Sequence, residues 1–221
     1  MPRRARIVLP NHPHHIVQRG VRRMDVFFQD SDYAKYLDIF SENAEKYGVL
    51  IIGYCLMTNH VHHILVPLEK DSLARTLQTT HQRYSIIINS REGWKGHLWQ
   101  ERYFSSPLDN DYFWSALRYV ERNPVEARMG SHASDYKWSS AKAHCGLKDD
   151  LVLDQQSDLA KMITKKTDWY SWLEKKEDEA ILKTIRDKTY RDLPTGGEEF
   201  IKVVERLTGI KIPKFARRTS C

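Results

Sequence analysis

Ten residues constrain this chain more than any others: Met57-Thr58-Asn59-His60-Val61-His62-His63-Ile64-Leu65-Val66. They read as a tight turn followed by a strand that carries histidines at i and i+2. Side chains on a strand alternate between faces, so His60 and His62 share one side while Val61 and His63 take the other. Two imidazoles on one face form half of a divalent-metal site. The apolar run Val49 to Met57 before the turn predicts the first strand of a hairpin. The pair then sits on rigid sheet.

Around this hairpin the periodicity changes in a regular order. His14 to Arg19 alternates and holds β-branched residues, which predicts a first strand. Asp30-Ser31-Asp32 starts a helix, with Tyr33, Tyr36, Leu37, Phe40 and Ala44 at helical spacing and Gly48 closing it. Asp71-Ser72 caps a second helix to about Asn89, with Leu73, Leu77 and Tyr84 on its apolar face and His81 expected at the surface. Leu98 to Leu108 predicts a loop entering a fourth strand. Asn110-Asp111 starts a third helix with the stripe Phe113, Leu117, Val120, ended by Pro124. The order β-α-β-β-α-β-α predicts an α+β fold, a ferredoxin-like sandwich with a mainly antiparallel sheet. Residues 1–145 make up that domain. Residues 146–221 predict a helical C-terminal extension, with pieces at Asp158–Ile163, Asp178–Lys188 and Glu198–Thr208 and a basic tail.

The third helix can complete the half-built site. Tyr119 and Asn123 lie four residues apart beside the buried stripe, and so share a face. They offer a nucleophile and a further ligand. A phenol is a poor nucleophile while protonated, and a cation beside a phosphodiester neutralises the phosphate oxygens. Other roles for the same residues are a core tyrosine, a helix cap at Asn123 and hydrogen-bonded structural histidines. Glu121 and Glu126 read as surface charges.

Charge points to the same class of partner. The formal net charge is +6 and the isoelectric point is about 9.1, which favours a polyanion. Arg19, Arg22, Arg23 and Arg102 are candidates for phosphate contact, and Trp99 and Tyr103 for base stacking. Lys214, Arg217 and Arg218 in the tail could grip duplex DNA. Cys55, Cys145 and Cys221 are too scattered for a disulfide frame or a zinc cluster. With no signal-peptide core and no apolar run long enough to span a bilayer, the expectation is a cytoplasmic, nucleoid-associated protein without membrane contact.

His60-Val61-His62 after Tyr54-Cys55-Leu56-Met57-Thr58-Asn59 resembles the His-hydrophobic-His motif of single-tyrosine HUH transposases. Leu117-Arg118-Tyr119-Val120-Glu121-Arg122-Asn123-Pro124-Val125 resembles their nucleophile helix. Met1–Gly20, Gly96–Ser106 and Tyr136–Ala141 are similar to the branch called REP-associated tyrosine transposases. The resemblance covers roughly residues 1–145, with the motifs in the family's order. It implies the HUH endonuclease fold, Mg²⁺ or Mn²⁺ held by His60, His62 and Asn123, and Tyr119 as nucleophile. The substrate is then single-stranded DNA with a palindromic hairpin, joined through a 5′-phosphotyrosine. Relatives act as monomers or as homodimers. Departures are Thr58 where proline is usual, His63 where an apolar residue is common, Asn11 for glycine and Val21 for asparagine. Two other functions fit the same residues: a domesticated hairpin-binding protein without strand transfer, and a nuclease in which water attacks.

Overall fold

The computed structural model describes residues 6–166 and 168–213. Lys214, Arg217 and Arg218, expected to contact DNA, lie outside the described residues. Four strands form one sheet in the order β2-β3-β1-β4, with every neighbouring pair antiparallel. They are β1 (His14–Arg19), β2 (Val49–Met57), β3 (His60–Pro67) and β4 (Phe104–Pro107). Helices α1 (Asp30–Tyr47) and α2 (Ser72–Glu92) interleave with them. This is the order and pairing of a ferredoxin-like sandwich.

Strand alternation divides the core in two. On one face Ile16, Val61 and Leu65 pack with Tyr36, Phe40, Leu73, Leu77 and Tyr84 of α1 and α2. On the other, Ile52, Cys55 and Ile64 meet Phe113, Ala116, Leu117 and Val120 of α3 (Asn110–Glu126). Gly53 permits that second contact. A Cβ built on Gly53 would lie 2.5 Å from Leu117 Cδ1, so a side chain there would force Leu117 to repack or α3 to shift. Gly53 also sits at a register shift between β2 and β3, where a bulge bends the strand.

The helix ends follow the sequence where their caps are local. Gly48 closes α1 in the left-handed region at φ 67°. The Asp109 side chain caps α3 by accepting from the Tyr112 N–H at 2.9 Å. Pro124 does not end α3, contrary to expectation. The helix continues through Glu126, because Ala127 N–H still donates to Asn123 O at 3.0 Å and Met129 N–H to Pro124 O at 2.8 Å. Proline removes one bond of the last turn without unwinding it.

Loop Tyr136–Ser140 covers the outer edge of β2. Leu56 N–H donates to Trp138 O at 2.8 Å and Ser140 N–H to Tyr54 O at 3.0 Å, which closes an exposed strand edge. The chain then forms α4 (Ala141–His144), α5 (Asp158–Thr164), α6 (Trp169–Glu174), α7 (Glu179–Thr189) and α8 (Glu198–Thr208). Helix α6 was not predicted; its six residues are too few to display a helical period. Ile163, Trp169, Leu173 and Ile185 join the apolar cluster under α3, so packing continues across the boundary expected at 145/146. Val204 of α8 packs on Ile7 and Leu9. Among the described residues no helix is long and apolar enough to cross a membrane.

Candidate active site

The centre of the site is the β3 end of the hairpin. His60 pairs with Arg19 and His62 with Val17 across β1, so His60, His62, Arg19 and His15 lie on the face covered by α3. His63 points the other way, as alternation requires. It is buried between Tyr36 and Phe40, 3.1 Å from the Tyr36 hydroxyl.

Each site imidazole is oriented through its Nδ1. The His60 Nδ1–H donates to Asn59 Oδ1 at 2.6 Å, and Asn59 Nδ2 donates to Arg23 O at 3.1 Å. The second bond fixes which end of the amide faces His60, so His60 carries its proton on Nδ1 and keeps a lone pair on Nε2. His62 Nδ1 lies 3.0 Å from His15 Nε2, and His15 Nδ1 lies 2.9 Å from Thr189 Oγ1. The His60 and His62 ring centroids are 4.9 Å apart. Burial holds the His60 imidazole down at about 3, reinforced by the Arg19 charge, and holds His62 well below its ordinary value. Both rings are therefore neutral at pH 7.

Helix α3 brings Tyr119 to these histidines. Its ring meets His62 edge-on at 5.5 Å between centroids and His15 at 5.7 Å. Burial raises the phenol above its usual range, while a hydrogen bond with the Asn123 side chain acts in the opposite direction. The nucleophile candidate is thus protonated at neutral pH and needs activation. Asn123 lies one helical turn on, half-buried.

The donors suit a divalent ion. Two neutral imidazoles with their Nδ1 atoms engaged are the usual arrangement of histidine ligands. Among the described residues no group of three His, Cys, Asp or Glu could hold a metal, so a third protein ligand would have to be an oxygen of another kind. Asn123 is the side-chain amide on the helix that faces the pair.

Three of the four candidate arginines, Arg19, Arg22 and Arg23, lie at the end of β1 and just after it, beside the histidine motif. Arg22 and Arg23 are exposed and both occupy the left-handed region, at φ 53° and 62°. Such backbone is costly for arginine. It is held by Gly20 N–H on Asn59 O at 2.8 Å and by the Asn59 amide on Arg23 O, which joins this basic turn to the histidine motif. Arg19 Nη2 donates to the Tyr190 hydroxyl at 3.2 Å. Arg102 is exposed.

Two expected DNA contacts are corrected. Trp99 and Tyr103 are buried, at 7% and 6% exposure, in the cluster under α1 and α2. The Trp99 ring packs at a tilt against His81, 4.6 Å between centroids, and the Arg6 guanidinium covers the Tyr103 ring at 3.7 Å. As placed, burial leaves little of either ring for a base. His81, expected at the surface, is buried for the same reason: the segment around Trp99 covers it, and its Nε2 lies 3.2 Å from the Tyr36 hydroxyl.

Glu121 is corrected as well. It is completely buried. Its Oε1 accepts from Ser140 Oγ at 2.6 Å and His144 Nδ1 at 2.5 Å, and its Oε2 from Trp169 Nε1 at 2.8 Å. Glu126 remains on the surface, paired with Arg122 at 3.1 Å. The residues sequence reasoning missed are His15, Thr189 and Tyr190. His15 shares the alternation of Val17 and Arg19, which was a usable signal; Thr189 and Tyr190 come from the far end of the chain and carried none.

The sequence matches the family described as "Transposase IS200 like" over residues 9–123, a span that enters before β1 and ends on Asn123. Among solved structures the chain is similar to a REP-associated tyrosine transposase bound to a REP hairpin. The two share 13% identity, 72% of this chain and 100% of that one are covered, and the TM-score is 0.57. A putative transposase from Deinococcus radiodurans R1 aligns at 17% identity and TM-score 0.39 over 55% of this chain and 97% of that one. No curated protein sequence gives a significant match.

Proposed function

Because this chain belongs to the IS200-like transposase family, we propose that it cleaves and rejoins single-stranded DNA through Tyr119, in the manner of the REP-associated branch. The observation that carries this reading is the meeting of Tyr119, edge-on at 5.5 Å, with an imidazole whose partner His60 presents a free Nε2. A packing tyrosine needs no such neighbours.

In the proposed reaction the Tyr119 phenolic oxygen attacks a backbone phosphorus. The bond from phosphorus to the 3′-oxygen breaks, and the phenolic proton ends on that oxygen. The products are a 5′-phosphotyrosine and a free 3′-hydroxyl, so the phosphodiester energy is kept for rejoining. His60, His62 and Asn123 would hold Mg²⁺ or Mn²⁺, which supplies charge neutralisation at the phosphate oxygens. Neutral nitrogen donors with an amide oxygen suit Mn²⁺ better than Mg²⁺. Asn123 Nδ2 also donates to the Tyr119 backbone carbonyl at 3.5 Å. Arg19, Arg22, Arg23 and Arg102 would grip the phosphates on either side. The DNA partner is a strand carrying a palindromic hairpin, the ligand of the structural relative.

The test uses a labelled single-stranded oligonucleotide carrying the repeat hairpin that flanks the gene, with Mg²⁺ or Mn²⁺, on a denaturing protein gel. The label should migrate with the protein, vanish in Tyr119→Phe and be lost in His60→Ala or His62→Ala. An adduct that persists in Tyr119→Phe would refute the nucleophile. Cleavage without an adduct would mean that water attacks, and binding without cleavage would mean a recognition protein.

A further inference from the structure

His15, His62 and Thr189 are buried to 2% exposure or less, and their polar atoms form one chain. Thr189 Oγ1 is 2.9 Å from His15 Nδ1, and His15 Nε2 is 3.0 Å from His62 Nδ1. The two imidazole planes differ by only 3°. A neutral imidazole has one N–H and one lone pair, so the chain admits two consistent proton arrangements. In the first, His62 Nδ1–H donates to His15 Nε2, His15 Nδ1–H donates to the Thr189 oxygen, and His62 Nε2 keeps its lone pair. In the second every donor reverses, and His62 Nε2 carries a proton and cannot ligate.

We infer that His15 and Thr189 are positioning residues that supply the acceptors the ligating tautomer of His62 requires, so that helix α7 of the C-terminal part belongs to the active site. The inference rests on the reading of His62 as a metal ligand. Thr189 matters because it can accept. Without that oxygen, the first arrangement leaves a buried N–H on His15 with no partner, which costs more than a bare lone pair. The chain then settles into the second arrangement. His60 is independent of this chain, because Asn59 sets its proton separately.

Nitrogen-15 long-range NMR of the metal-free protein reads each imidazole tautomer, and Mn²⁺ titration followed by electron paramagnetic resonance reads affinity. Wild type should carry the His62 proton on Nδ1. Thr189→Val should move it to Nε2 and weaken Mn²⁺ binding by about 10-fold to 100-fold, the usual effect of losing such a partner. Thr189→Ser should restore both, His15→Leu should repeat the valine result, and the His60 tautomer should not change. A wild-type His62 protonated on Nε2 overturns the inference. So does a Thr189→Val protein with unchanged tautomer and affinity. If wild type binds no Mn²⁺, the metal reading fails, and the tautomer shift in Thr189→Val alone decides the positioning role.

Discussion

Removing the Glu121 carboxylate should cost this protein a large part of its stability. The side chain has no exposure and accepts from three elements at once: Ser140 before α4, His144 within it and Trp169 on α6. In Glu121→Ala, Ser140 can fall back on Tyr54 O at 3.3 Å. His144 retains slight solvent access, at 9% of its side chain. Trp169 has no such escape, and a buried N–H left unpaired costs about 1–3 kcal/mol. The lost charge-assisted bonds to His144 and Ser140 add about 2 kcal/mol more once water and the fallback partner are allowed for. The total is about 4 kcal/mol, within the usual range for breaking a buried ionic network. For a chain of this size it would lower Tm by roughly 8–16 °C. Urea unfolding with an unchanged slope is the assay. Adduct yield should fall too, because Glu121 anchors the same helix as Tyr119. A Glu121→Ala protein within about 1 kcal/mol of wild type would show that the three donors find other partners, and the argument would fail.

Acid should unfold the protein through its buried histidines. Burial lowers His14 to about 4 and His15, His60 and His81 to about 3. Their folded values lie below the unfolded value, so the stability they contribute is complete above pH 6.5 and is lost as pH falls towards 4. At pH 5.5 each costs about 1.4 kcal/mol, roughly 6 kcal/mol together, comparable with the whole stability of many domains; a urea midpoint that stays flat from pH 7 to 5.5 would contradict this. For DNA binding, the log–log salt slope should fall by about 0.7 for each of Arg22→Ala and Arg23→Ala if both touch single-strand phosphates. An unchanged slope would assign those arginines to the turn alone. Gly53→Ala should force Leu117 to repack under α3 and reduce adduct yield while DNA binding persists, since its Cβ would collide with Leu117; wild-type adduct yield would show that Leu117 gives way without moving α3.

What the sequence disclosed and what it concealed differ by range. The shared face of His60 and His62, and the opposite face taken by His63, follow from strand alternation, a rule that needs only neighbouring residues. Tyr119 and Asn123 follow from helical spacing in the same way. The succession of four strands along the chain was legible because each strand is bounded by caps, glycines or prolines within a few residues. Burial of polar groups is another matter, since it depends on elements that meet only in the folded chain. Glu121 looks like any helix charge until Ser140, His144 and Trp169 converge on it. Trp99 and Tyr103 sit in a polar, basic segment that suggests contact with DNA, yet that segment closes over α2 and turns its rings inward. Thr189 is the extreme case: a common residue near the end of a short helix, far from the motif in sequence, and within hydrogen-bond distance of His15 in space. The α7 contact also explains why residues after 145 need not resemble the family closely. Among what they supply at the site are one hydroxyl at Thr189 and another at Tyr190 beside Arg19, and two hydroxyls at a helix end leave almost no trace in a sequence pattern.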